Sequence, residues 1–184
     1  VWVAAYGPMA LGSAGRIGDG LVLQLAEPGI CKWLADQAIE AGRKAGRDMS
    51  GYQVMSAAPA YTGSIEEGRE RTKWFPAMVG NHVADIVEKY GRDTDVVPSS
   101  LISYIEKRRG YDYSKHGQSD NPYLDFITDD IVDGFAVLGE PQDHIAKLKT
   151  LENAGITQFN IYLDNGNEEK IIADYGNTII PAMT

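Results

Sequence analysis

Val1-Trp2-Val3-Ala4-Ala5-Tyr6-Gly7-Pro8 is where the fold is decided. A continuous apolar run with β-branched and aromatic residues reads as a short strand buried on both faces. Gly7 breaks it, and Pro8 suits the first position of a helix, where a missing N–H costs nothing. A strand that turns into a helix within two residues is the joint of a βα unit. Outward from it, residues 9–17 read as a helix with a small-residue stripe, Ala10, Ala14, Gly15 and Gly18, suited to close packing on a sheet. Asp19-Gly20 makes a turn, and residues 21–25 (LVLQL) form a second buried strand.

The rhythm then repeats. Pro28 opens a longer helix whose apolar face is Ile30, Leu34, Ala38, Ala41 and Ala45, with Arg43, Lys44 and Arg47 at its end, where cations suit the helix dipole. Residues 52–61 form a third strand interrupted by Pro59, and residues 64–67 (SIEE) are a capping box that starts another helix. Alternating β and α argues for a parallel sheet. Residues 74–138 break the pattern and read as a helical insertion without a strand. Its helices carry Val83, Ile86, Val87 and Tyr90, then residues 100–109, then Ile131, Val132 and Phe135 behind a Thr128 cap. The βα rhythm returns at residues 139–141 (GEP), with a helix built on Ile145, Leu148 and Leu151 and stopped by Gly155. A fourth strand spans residues 158–163, and a last helix with Ile171, Tyr175 and Ile179 on one face is expected to end at Pro181.

The 184 residues are 43% hydrophobic and 23% charged, ordinary globular composition. The net charge of -9 repels phosphate backbones and argues against nucleic-acid binding. No run is long and apolar enough for a membrane span, and the single Cys31 excludes an internal disulfide, as in a reducing cytoplasm.

Motifs for nucleophilic catalysis and for P-loop phosphate binding are absent, and His82, His116 and His144 show no metal-ligand spacing. Gly15, Gly18 and Gly20 mimic a dinucleotide loop but precede a strand instead of following one, which makes them a packing stripe and turn. At residues 5–7 a helix N-terminus emerges at the C-terminal end of a strand, the usual place for a phosphate, though most such junctions are plain connections. Gln24 is polar where its strand wants apolar residues, so it reaches either a ligand or a neighbouring loop. His82 reads as a cap or interface histidine. His116 sits near Lys107, Arg108, Arg109 and Lys115, a cluster that either recognises an acidic group or is a solvated face. Tyr111, Tyr113 and Tyr123 either wall a pocket or pack their loop.

The opening stretch through Ala14-Gly15 and Asp19-Gly20 resembles the strand–Gly-Pro–helix region of the bacterial-luciferase-like family of flavin- and deazaflavin-dependent oxidoreductases. Residues 74–82 (WFPAMVGNH), 110–117 (GYDYSKHG) and 129–139 (DDIVDGFAVLG) are similar to its subgroup using coenzyme F-420, an 8-hydroxy-5-deazaflavin. The resemblance covers nearly the whole chain. It implies an α/β fold: the C-terminal half of a (β/α)8 TIM barrel, about four parallel strands, with the helical insertion before the last strand. Residues 1–184 would be one partial barrel domain whose edges invite pairing with another chain. The expectation is therefore a trimmed or cleaved protein, or one completed by a homodimer partner or by the N-terminal half. The resemblance implies hydride transfer between the deazaflavin and a small organic substrate. Alternatives are an FMN-dependent monooxygenase of the same fold, and a non-catalytic fragment or assembly module. By the same resemblance, Ala5, Tyr6, Gly7, Gln24 and Leu25 would contact the cofactor, and His82, His116 and Tyr61 the substrate, with no metal required and the catalytic residues unassigned.

Overall fold

A computed structural model of the chain describes residues 1–79 and 127–183. The described elements run β1 (Trp2–Ala4), α1 (Pro8–Ile17), β2 (Gly20–Leu23), α2 (Pro28–Lys44), β3 (Gln53–Thr62) and α3 (Ile65–Thr72), then α4 (Asp129–Phe135), β4 (Val137–Gly139), α5 (Pro141–Asn153), β5 (Gln158–Tyr162) and α6 (Glu168–Asp174). A π-helical turn (Tyr175–Ile179) and α7 (Ile180–Met183) follow. The expected helices around residues 83–90 and 100–109, the tyrosine-rich loop, His82, His116 and the basic cluster lie outside the described residues.

All strand pairs are parallel: β1 with β2, β2 with β3, and β3 with both β4 and β5. The register aligns Val3, Leu21 and Val54 on one face, and Ala4, Val22, Met55 and Gln158 on the other. Leu21, Leu23, Val54 and Ser56 are buried, whereas Ala4 and Gln158 are exposed and Val22 and Met55 half-buried. Helices therefore cover one side of the sheet and leave the other open. On the covered side Leu11, Ile30 and Leu34 are nearly or fully inaccessible. Each such side chain stabilises the fold by about 1.5–3 kcal/mol relative to exposure.

Four expectations need correction. β1 is not buried on both faces: Trp2 and Ala4 are exposed and Val3 is half-buried. β4 lies partly inside the segment read as strandless. Its three residues are too short to show alternation, and all are buried. The small-residue stripe of α1 is divided: Gly18 sits against Val3 of β1, as expected of packing on the sheet, whereas Gly15 packs on α2. A Cβ at Gly15 would lie 1.8 Å from the Ala38 carbonyl oxygen, and one at Gly42 would lie 2.8 Å from the Gly15 oxygen, so the two backbones touch. Ala10, nominally in the stripe, is exposed. Arg47 then reaches back to the Gly15 and Gly18 carbonyls, the latter at 2.8 Å, satisfying acceptors at the end of α1. Finally, Pro181 does not end the last helix. The preceding turn widens to a π-helix, with the Ile180 N–H bonded to the Tyr175 carbonyl, which gives room for a ring that would clash with a regular α-helical carbonyl.

Other signals agree with the structure. Pro8 and Pro28 stand at helix starts. Ser64 caps α3 by accepting the Glu67 N–H at 3.3 Å, although the Glu67 carboxylate serves Arg71 and does not complete the box. Thr128 occupies the cap position of α4 without a side-chain bond. Thr157 pins β5 to β3: its N–H donates to the Val54 carbonyl, and its hydroxyl accepts the Val54 N–H, both at 2.9 Å.

Candidate functional site

At the C-terminal ends of the strands, β1 leads through Ala5 into Tyr6 and Gly7, and β2 into Gln24 and Leu25. Alternation carries the open face from Ala4 to Tyr6, from Val22 to Gln24, and from Gln158 through Asn160 to Tyr162. The three side chains meet. The Tyr6 hydroxyl accepts the Gln24 backbone N–H at 2.7 Å and lies 3.5 Å from Gln24 Oε1. Gln24 Nε2 donates to the Tyr162 hydroxyl oxygen at 3.0 Å. Burial raises the Tyr6 phenol well above its ordinary range, with the Gln24 N–H opposing the shift. It therefore stays protonated and acts by hydrogen bonding. Phe75, fully buried, sets its ring 5.7 Å from Tyr162 at 67°, an edge contact that fixes the Tyr162 ring.

Gly7 is the N-cap of α1. No side chain caps this helix, and a Cβ on Gly7 would meet nothing within 4 Å. By contrast Glu27 caps α2 by accepting the Ile30 N–H at 2.6 Å. The first turn of α1 thus opens to the surroundings beside Tyr6, with Met9 exposed.

Among the other sequence candidates, Ala5 and Leu25 are buried, so only their backbones face the rim. The Leu25 carbonyl accepts the Ser56 hydroxyl and the Cys31 thiol. Burial pushes that thiol up, away from thiolate chemistry. Tyr61 does not join the cluster. Its ring packs where a Gly68 side chain would stand, its hydroxyl meets the Glu67 carboxylate, and its carbonyl meets His144. Its ring therefore lies against α3, beside Leu138 of β4. His82 and His116 are outside the described residues. Tyr162 escaped sequence reasoning, though the polar beat of Gln158, Asn160 and Tyr162 against apolar Phe159 and Ile161 marks the same face.

A separate cavity of about 340 Å³ lies on the opposite side of β5, lined by Leu148, Leu151, Phe159, Ile161, Ile179 and Met183 among others. It is mostly apolar and shares no residue with the Tyr6–Gln24–Tyr162 cluster. Among the described residues no group of three or more His, Cys, Asp or Glu is arranged to hold a metal, and no helix is long and apolar enough to cross a membrane.

Parallel strands with helices on one side define a piece of an α/β barrel, and the polar groups gather at the C-terminal strand ends, where such barrels place their sites. The chain belongs to the luciferase-like monooxygenase family, which residues 1–158 match. It is 24% identical over 190 aligned residues to a 5,10-methylenetetrahydromethanopterin reductase of Archaeoglobus fulgidus, with 100% of this chain and 54% of that protein covered. Its fold matches the coenzyme F420 dependent tetrahydromethanopterin reductase from Methanopyrus kandleri with a TM-score of 0.64 at 20% identity, covering 100% of this chain and 50% of that one. It also matches an F420-dependent secondary alcohol dehydrogenase in complex with an F420-acetone adduct, with a TM-score of 0.59 at 15% identity and 100% and 48% coverage. The chain thus spans about half the length of these relatives.

Proposed function

We propose that this chain supplies coenzyme-binding elements of an oxidoreductase that moves hydride between coenzyme F420 and a small organic substrate. The observation that carries the reading is the junction of an uncapped α1 N-terminus, a Gly7 position with free space around it, and the Tyr6–Gln24–Tyr162 cluster on one open rim. These residues fit a coenzyme with an anionic end and a polar ring. Free backbone N–H groups of the first helical turn suit a phosphate, and the neutral phenols and amide suit carbonyl groups. When bound, the deazaflavin supplies hydride donation or acceptance. The chain's own part is to bind and orient it. The F420 dependence named for the two structural relatives supports this choice of coenzyme.

The open sheet face and the outer edges of β1 and β5 are completed by further strands, from a second copy or from the rest of a longer polypeptide. That complement contributes the remaining contacts of the site.

Titration of the purified protein with coenzyme F420 and with FMN, followed by absorption and equilibrium dialysis, tests the reading. Saturable binding of F420 in preference to FMN is expected. Preferred FMN binding points to the monooxygenase alternative, and binding of neither coenzyme leaves a non-catalytic module.

A further inference from the structure

Gln24 does more than join two tyrosines, because a carboxamide carries its acceptor and its donor on opposite atoms. The Tyr6 oxygen accepts the Gln24 backbone N–H at 2.7 Å, and its O–H is directed at Gln24 Oε1, 3.5 Å away. With Oε1 facing Tyr6, Nε2 faces Tyr162 and donates to its hydroxyl oxygen at 3.0 Å. The Tyr162 oxygen is thereby an acceptor from Gln24, and its own O–H is left to donate elsewhere. No acceptor for that proton stands among the described residues. The ring is held by the buried Phe75. The hydroxyl lies on the open face, at the C-terminal end of β5.

We propose that Tyr162 is a hydrogen-bond donor to a ring carbonyl oxygen of the coenzyme, with Gln24 as the positioning residue that sets its direction. This rests on the reading of the rim as a deazaflavin site. A fused pyrimidinedione presents carbonyl oxygens along one edge, and these match a neutral, rigidly held phenol. In-line order β1-β2-β3 with β5 beside β3 places Tyr162 three strand spacings from Gly7, roughly 14 Å at about 4.8 Å per spacing. That leaves room for a linker between an anionic end at Gly7 and a ring at Tyr162.

The test is a double-mutant cycle read by coenzyme F420 affinity and by the position of the bound coenzyme's absorption band. Tyr162→Phe keeps the ring against Phe75 and is expected to weaken F420 binding about three- to tenfold, as for loss of one hydrogen bond, and to shift the bound band. Gln24→Glu places a carboxylate where the amide donated. The carboxylate takes the Tyr162 proton and turns it from the ligand, so the same loss and the same band shift are expected. The double variant should lose no more than either single one. Equal F420 affinity and an unchanged band in Tyr162→Phe overturn the proposal, as does full additivity of the two losses. Should Tyr162→Phe fail to fold, an unaltered affinity in Gln24→Glu overturns it instead. Failure of the unmodified protein to bind F420 refutes the functional reading itself, whereas binding that is indifferent to both substitutions refutes this inference alone.

Discussion

His144 is fully inaccessible and bridges three elements. Its Nε2 lies 3.1 Å from the Tyr61 carbonyl of β3, and its Nδ1 lies 3.0 Å from the Tyr175 hydroxyl at the start of the π-turn. A carbonyl only accepts, so Nε2 carries the proton, and Nδ1 accepts from Tyr175. Burial holds the imidazole below its ordinary pKa. The Tyr61 carbonyl and the carboxylates of Asp143 and Asp174 pull the other way without prevailing. Replacing His144 with Leu keeps the bulk but strands the Tyr61 carbonyl and the Tyr175 hydroxyl. At about 1–3 kcal/mol for each of these two buried groups left unpaired, the loss should be roughly 2–6 kcal/mol. A histidine whose folded pKa is depressed binds its proton more readily in the unfolded chain. Its contribution is thus complete above about pH 6.5 and is lost as the pH falls towards the folded value, at no more than about 1.4 kcal/mol per pH unit. Urea unfolding at pH 7.5, 6.5 and 5.5 should therefore show stability declining through this window in the natural chain, and a flatter profile in His144→Leu. A variant as stable as the natural chain at pH 7.5, or one with an equally steep acid decline, would refute the reasoning.

Gly15→Ala forces a methyl group into the Ala38 carbonyl. It should cost about 3 kcal/mol or more as the helices separate, seen as a lower thermal midpoint. Lys147 donates from Nζ to the Asp133 and Gly134 carbonyls at 2.6 and 3.0 Å, capping the end of α4. Lys147→Met should lose about 1.5–3 kcal/mol and speed amide exchange in residues 129–136. Gly7→Asp is expected to separate stability from binding. An aspartate N-cap should steady α1 by a few tenths of a kcal/mol, while its carboxylate occupies the helix terminus and lowers F420 affinity at least about tenfold. Thermal melts and dialysis on one preparation check both halves.

Much of the architecture was readable because punctuation and periodicity coincided. Pro8, Pro28 and Pro141 each stand at a helix start, and the apolar runs before Gly7 and Gln24 are both strands, although only the second is buried. What stayed hidden was relational. Small residues in α1 announce a close approach but not its partner, and the partner proved to be Gly42 on another helix. Pro181 is a helix breaker by local chemistry, yet a change of helical pitch upstream accommodates it. The prominence of Gln24 as a polar intruder led to the rim, but its partner Tyr162 lies 138 positions along the chain, and only strand register reveals the pair. Tyr61 lies near the same rim in sequence, but its ring packs at the Gly68 position of α3, a contact that only the three-dimensional arrangement shows.

Thr157 grips Val54 across 103 positions with hydroxyl and backbone together. A clasp of that reach makes the spacing between its two halves nearly irrelevant to the sheet, since the entropy of closing a loop grows only with the logarithm of its length, about 0.6 kcal/mol per doubling. Evolution can then lengthen, shorten or exchange what lies between the two strands, and so retune what enters the rim, while Thr157 keeps Tyr162 in the same place beside Gln24.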